Sequence, residues 1–162
     1  MSAVPTISLP VAVVDEDESV RNRLAMQLGK HAVAFPSIGD LEARLPSSAA
    51  IVVFGPSCSS GARLEHLERL LRGRPDVGAI LVAEELTTDL FQRSMRIGIR
   101  DVLSAPVDTQ ALNEAVRRVA EGITQVVAAA PTQTVPSSTE LGQVITVFST
   151  KGGAGKSMVA CN

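Results

Sequence analysis

Short aliphatic runs alternate with amphipathic stretches along most of this 162-residue sequence, and this alternation constrains the fold more than any other feature. The runs are mostly continuous, as in strands buried on both faces of a sheet. They comprise Val11–Val14, Ala32–Phe35, Ala49–Phe54, Ala79–Ala83 and Asp101–Leu103. Because a helical pattern follows each run, the sequence predicts an α/β domain over residues 1–123, with five parallel strands and helices on both faces.

Start and stop residues support the predicted helices. Gly29 and Gly98 follow the first and fourth amphipathic stretches, where a helix commonly ends on glycine. Asp108 precedes a stretch that places Leu112 and Val116 on one face, so it is predicted to cap the fifth helix.

Composition and charge disfavour several functions. The net charge is −2, and the chain has four Phe but no Trp or Tyr, so binding to nucleic acid is not expected. Cys58 and Cys161 lie far apart with no His or Cys at ligand spacing, which argues against a metal site and fits a reducing cytoplasm. No apolar run approaches the length of a membrane span and no targeting segment is present, so we expect a cytoplasmic protein.

The composition changes after residue 123. Residues 124–142 are rich in Ala, Pro, Ser and Thr and are predicted to be a linker. A further strand pattern, Val144–Phe148, leads into a glycine-rich loop at 151–157, and the sequence ends at Asn162. A strand and one helical turn cannot form a domain, so residues 143–162 are predicted to be the start of a second domain in a longer protein.

The glycine-rich loop has the chemistry of a phosphate-binding loop. Its glycines let backbone N–H groups converge on phosphate oxygens, while Lys156 can neutralise the β- and γ-phosphates and Ser157 can bind Mg²⁺. Thr150 stands where the common form of this motif has a glycine, and a second lysine follows it. The predicted cofactor-binding residues are Lys151, Gly152, Gly153, Ala154, Gly155, Lys156 and Ser157.

This loop resembles the deviant Walker A loop of the ParA/MinD family of ATPases. The resemblance implies that Lys151 reaches the nucleotide of a partner subunit and that ATP and Mg²⁺ are cofactors of the longer protein. We expect neither to bind tightly to the present chain, which should not hydrolyse ATP, because the strands that carry the remaining acids of such enzymes are missing.

The first domain resembles two-component receivers, and the resemblance implies their flavodoxin-like fold. The segments VAVVDEDESVRNRL (11–24) and GIRDVLSAPVD (98–108) carry this similarity. Asp15 and Glu16 stand where receivers hold Mg²⁺. Two interpretations of these acids are open: a surface loop that favours the start of the next helix, which we prefer, or a weak magnesium site. The resemblance also implies a cis peptide bond at Ala105-Pro106.

The residues that carry receiver chemistry are missing. Gly55 stands in place of the phospho-acceptor aspartate, and no Asp or Glu occurs between residues 43 and 64. Val82 stands in place of the Ser or Thr, and Ala105 in place of the lysine, with no lysine between residues 31 and 150. The domain is therefore predicted not to accept a phosphoryl group and to have no catalytic residue.

The two parts together resemble CpaE/TadZ proteins of the Tad/Flp pilus-assembly system. That resemblance implies a pseudo-receiver that dimerises and docks on pilus secretion proteins, at a cell pole or at the inner membrane through its partners. By similarity to receivers, the contact face is expected at 88–120, with Ile97, Ile99 and Val107 as apolar anchors. Two alternatives are a phosphorylatable response-regulator receiver and a ParA-type DNA-partition ATPase.

Overall fold

The structure is a computed structural model that describes residues 9–129 and the side chains of residues 9–125. Strands and helices alternate along this part of the chain. The strands are β1 (Val11–Val14), β2 (Ala32–Phe35), β3 (Ala50–Phe54), β4 (Val77–Ala83) and β5 (Ile99–Ser104). The helices are α1 (Glu18–Leu28), α2 (Ile38–Arg44), α3 (Gly61–Arg72), α4 (Thr88–Ile97) and α5 (Thr109–Ala129), with a 3₁₀ turn at Pro56–Ser59.

The five strands form one parallel sheet in the order β2-β1-β3-β4-β5. This arrangement confirms the predicted doubly wound receiver-like α/β fold. β4 begins two residues earlier than its apolar run indicates, because Val77 pairs with Ala50 at the start of β3. The strand order reverses between β1 and β3, and ligands of doubly wound sheets bind outside the carboxyl ends of the strands at such a reversal.

Two apolar cores cover the two faces of the sheet. On one face α2, α3 and α4 bury side chains such as Leu41 and Leu67 against Phe54. On the other, α1 and α5 pack on Ile80, and Leu112 of α5 is fully buried. Burial of each such side chain stabilises the fold by about 1.5–3 kcal/mol. Residues of β1, β3 and β4 are buried on both faces, which explains their continuous aliphatic runs.

The predicted helix ends are confirmed. Gly29 and Gly98 end α1 and α4 with φ of 86° and 102°, a backbone conformation that favours glycine. The Asp108 carboxylate accepts a hydrogen bond from the N–H of Gln110 at 3.0 Å and so caps α5.

α5 extends past the predicted domain boundary at residue 123. It continues to Ala129, so residues 124–129, which the sequence predicts to be linker, are helical. The remainder of the predicted linker and the start of the predicted second domain lie outside the described residues. Within residues 9–129, no helix is both long and apolar enough to cross a membrane.

Candidate functional site

The loops that follow β1, β3, β4 and β5 meet at the carboxyl edge of the sheet. Asp15 follows β1, Gly55 follows β3, and Ala105 follows β5. The N–H of Ala105 donates to the carbonyl of Ala83, the last residue of β4, at 2.7 Å. The Ala105-Pro106 peptide bond is cis, as predicted. Gly55, which the sequence predicts to stand in place of the phospho-acceptor, therefore lies at the strand reversal, beside the acidic loop.

Asp15 is buried and bonded to protein through both carboxylate oxygens. Its side chain lies at the end of β1 with 1% of the residue exposed. Oδ1 accepts from the N–H of Asp17 at 2.7 Å, and Oδ2 accepts from the N–H of Ser57 at 3.1 Å. Hydrogen bonds from backbone N–H groups compensate a buried carboxylate for the loss of water. Asp15 thus joins the β1–α1 loop to the turn that follows β3.

Gly55 provides the space that Asp15 occupies. A Cβ atom on Gly55 would lie 2.7 Å from Cγ and 2.9 Å from Cβ of Asp15, and closer still to Oδ2. The backbone of Gly55 has φ of −79° and ψ of 179°, a conformation open to every residue. Glycine is therefore required at this position by the Asp15 carboxylate and not by the local backbone.

Glu16 is paired with Arg63 of α3. The side chains form a salt bridge at the surface, and Nη1 of Arg63 also donates to the carbonyl of Ser57 at 3.0 Å. The N–H of Glu16 donates to Oγ of Ser57 at 3.0 Å. Ser57 thus contacts both members of the acidic pair, and Arg63 competes with any cation for the Glu16 carboxylate.

These contacts do not fit a magnesium site. Mg²⁺ prefers near-octahedral oxygen ligands and is usually held by accessible carboxylates. Asp15 is buried with both oxygens bonded to backbone N–H groups, and Glu16 faces an arginine. Within the described part of the chain, no three His, Cys, Asp or Glu side chains cluster in a way that could hold a metal ion. The contacts favour the structural interpretation of this acidic pair.

Apolar side chains line the part of the edge where a receiver would handle the phosphoryl group. Val82, Ala105 and Pro56 lie around a cavity of about 230 Å³. The charged residues that line it are Arg23 and Glu84. No side-chain hydroxyl or lysine ammonium lines this cavity, so the hydroxyl and the lysine of a working receiver have no counterpart there, and Arg23 is the one cation that lines it.

A second cavity, of about 220 Å³, lies between the β2–α2 loop and α3. Cys58, Arg63 and His66 line it. Burial raises the pKa of the Cys58 thiol to about 11, so the thiol stays protonated and unreactive at neutral pH. Nε2 of His66 lies 3.2 Å from Oε2 of Glu42 at the surface.

Exposed apolar side chains concentrate at α4. Phe91 and Met95 are 46% and 37% exposed, and Leu86, just before the helix, is 41% exposed. We call these three residues the α4 patch. Arg93, on the opposite flank of α4, pairs with Glu65 of α3, so Phe91 and Met95 lie on the flank turned away from α3. The patch falls within the 88–120 face, apart from Leu86.

Of the three apolar anchors predicted for this face, one is buried in the core and two are partly buried. Ile99 is wrong as a surface anchor, because it is 2% exposed and belongs to the core beneath α4. Ile97 and Val107 are partly buried and pack against the two cores. Which flank of α4 stays exposed depends on how the helix lies on the sheet, and Phe91 lies on the exposed flank.

The phosphate-binding loop predicted at Lys151–Ser157 lies outside the described residues. Within them, sequence reasoning missed Ser57 and Arg63, which brace the acidic pair. No motif marks either residue, since their role depends on the approach of the β1 and β3 loops.

Comparison with known proteins supports the fold. No protein-family model and no curated protein sequence matches the chain. A solved structure from Burkholderia thailandensis, described as a pilus assembly protein (cpaE), matches with a TM-score of 0.60 and 27% identity over 70% of this chain and 98% of that one. A pilus assembly-related protein of Burkholderia pseudomallei matches with a TM-score of 0.60 and 23% identity over 75% and 96% of the two chains. A CheY-like receiver domain protein of Methanospirillum hungatei matches with 0.61 and 18% identity over 74% and 99%.

Proposed function

We propose that this chain is the N-terminal part of a CpaE/TadZ-like pilus assembly and localisation ATPase, in which the receiver-like domain is a protein-interaction and targeting module. One observation supports the proposal: the Asp15 carboxylate fills the side-chain space of Gly55, the residue that we predict to stand in place of the phospho-acceptor. A receiver fold that does not accept a phosphoryl group can still act by binding other proteins through its surface. The 27% identity to the Burkholderia thailandensis cpaE protein supports a role in pilus assembly.

The first test is phosphorylation. The chain should show no mass increase after incubation with acetyl phosphate and Mg²⁺, and beryllofluoride should leave its amide NMR spectrum unchanged. The reason is that no aspartate, hydroxyl or lysine side chain lines the cavity at Val82 and Ala105, and the Glu84 carboxylate follows β4 instead of β3. A stable adduct of one phosphoryl group would support the alternative of a phosphorylatable response regulator.

The second element of the proposal is a homodimer through the α4 patch. Contiguous exposed apolar groups on a small domain commonly mark a protein–protein contact. Phe91 and Met95 are four residues apart on one flank of α4, so both can enter the same contact.

Sedimentation of the 162-residue chain tests the dimer. We expect a concentration-dependent dimer whose dissociation constant rises at least tenfold in F91S/M95S, because truncation of a buried interface anchor costs about 1–2 kcal/mol or more. M26S is the matched control, since Met26 is 82% exposed on α1, outside this face. A strictly monomeric chain at high concentration would contradict this element.

The third element is nucleotide binding in the longer protein. We propose that the 151–157 loop binds ATP and Mg²⁺ there, with Lys156 and Ser157 as phosphate and metal contacts and Lys151 reaching a partner subunit. K156A in the longer protein should abolish nucleotide binding, while K151A should leave binding intact and weaken the ATP-dependent dimer. ATP-dependent DNA binding by the longer protein would instead favour the ParA-type partition ATPase.

The partners in this proposal are pilus secretion proteins, and the location is the cytoplasm, at a cell pole or at the inner membrane through those partners. A fluorescent fusion of the longer protein should form polar foci that are lost in F91S/M95S. Foci that persist in that variant would separate targeting from the α4 patch.

A further inference from the structure

Asp15 and Gly55 form a pair in which the side chain of one replaces the missing side chain of the other. A carboxylate fills the place of a side chain at Gly55, the predicted phospho-acceptor position, but it belongs to the residue after β1 instead of the residue after β3. Its two oxygens bond the N–H groups of Asp17 and Ser57. The residue is 1% exposed, so this carboxylate is closed to phosphodonors.

Further bonds join the two loops around this pair. The N–H of Gly55 donates to the carbonyl of Val14 at 2.8 Å, and the N–H of Glu16 donates to Oγ of Ser57. Arg63 then bonds both the Ser57 carbonyl and the Glu16 carboxylate. The loop after β1 and the turn after β3 are therefore connected at several points, with the buried Asp15 carboxylate at their centre.

We propose that the Asp15–Gly55 pair is a built-in conformational lock, which holds the two loops at the strand reversal in one arrangement without phosphate or Mg²⁺. In a switching receiver these loops respond to an added phosphoryl group. In this chain the anion is the Asp15 carboxylate, which is part of the fold. The two loops therefore keep one arrangement, and the surface of the domain does not depend on phosphorylation. The proposal does not depend on a role in pilus assembly, since it concerns the isolated chain.

The lock also explains why a single substitution cannot restore a phospho-acceptor. In G55D, a second carboxylate would enter the space that Asp15 fills, and like charges about 3 Å apart cannot both ionise without a large cost. G55D should therefore destabilise the chain more than G55A does. Gly55 and Asp15 are coupled, and a change at one requires a change at the other.

A double-mutant cycle tests the coupling, with urea unfolding of the full 162-residue chain as the assay. G55A should raise the unfolding equilibrium constant about 10- to 100-fold in the wild-type background, because the new methyl group overlaps the Asp15 side chain. In the D15A background, the same substitution should change it by less than about threefold. G39A is the matched control, since its Cβ would meet only Oγ of Ser37, at 3.8 Å, and it should show no such dependence on residue 15.

Amide hydrogen exchange supplies a second readout. The N–H of Ser57 should be protected in the wild type, and in D15A its exchange should accelerate at least about tenfold more than that of Val53, at the centre of the sheet. If G55A alone fails to fold, folding of D15A/G55A supports the lock. Equal destabilisation by G55A in both backgrounds, failure of both variants to fold, or unprotected Ser57 in the wild type would overturn it.

Discussion

Gly78 is the second glycine whose missing side chain decides the packing, and its replacement by alanine gives a sharp test of the position of α5. Gly78 lies in β4, beneath α5. An added Cβ would lie 2.5 Å from Cδ1 of Ile123 and closer still to Cγ1 of Val119. Carbon atoms pack best about 3.5–4.0 Å apart, so both side chains would have to move by about 1 Å or more.

The two side chains above Gly78 have little room to move. Val119 and Ile123 are 4% and 1% exposed, and a helical valine has one strongly preferred rotamer. Overpacking of this kind costs about 1–3 kcal/mol, and the reduced freedom of the unfolded chain returns about 0.4–1 kcal/mol. We expect G78A to lower the free energy of unfolding by about 1–2 kcal/mol and Tm by about 3–10 °C.

Urea unfolding followed by circular dichroism measures the G78A effect. G73A is the matched control, because a Cβ on Gly73 would meet no heavy atom within 4 Å and its φ of −88° is one that alanine adopts readily. It should be as stable as the wild type or slightly more stable. If G78A matches G73A in stability with an unchanged m-value, then α5 does not lie against β4 as described.

Three further predictions concern single residues. The hydrogen bond from Arg74 lowers the pKa of Asp76, so this pair stabilises the fold fully above the unfolded pKa of about 4 and loses its effect as pH falls through the lowered value. D76N should therefore lower the free energy of unfolding by about 0.2–1 kcal/mol at pH 7. In urea titrations, the difference from the wild type should narrow towards pH 2.5. In C161S, Cys58 should resist alkylation at pH 7.5 until urea unfolds the chain, since burial raises its pKa to about 11; rapid labelling of the native chain would contradict this. Thr87 caps α4 through its hydroxyl, so T87A should lower the free energy of unfolding by about 1 kcal/mol, whereas T87S should retain most of it.

At the candidate site, the place of the predicted missing phospho-acceptor is filled by another side chain. The absence of the phospho-acceptor is visible in the sequence, since no Asp or Glu lies near the end of β3. The sequence does not reveal that Asp15 takes over the vacated space. That placement depends on the hydrogen bond from Ser57, a residue 42 positions away along the chain.

For helix α4, the sequence predicts the helix itself, but the structure is needed to know which side of it is exposed. The helical pattern predicted α4, and Gly98 marked its end. Which flank of α4 is exposed depends on how the helix lies on the sheet, and this leaves Phe91 and Met95 on the outer flank. Ile99 is the first residue of β5, and its side chain lies in the core beneath α4.

The order of strands and helices and the helix caps were predictable from the sequence, because each depends on residues that are neighbours along the chain. The boundary of α5 was harder to predict, since residues 124–129 (TQVVAA) contain neither Gly nor Pro to mark the end of a helix. The contacts of the acidic pair and the identity of the exposed flank of α4 could be known only from the three-dimensional packing. Both depend on which distant side chains compete for the same space, and a missing Cβ at Gly55 settled that competition in favour of Asp15.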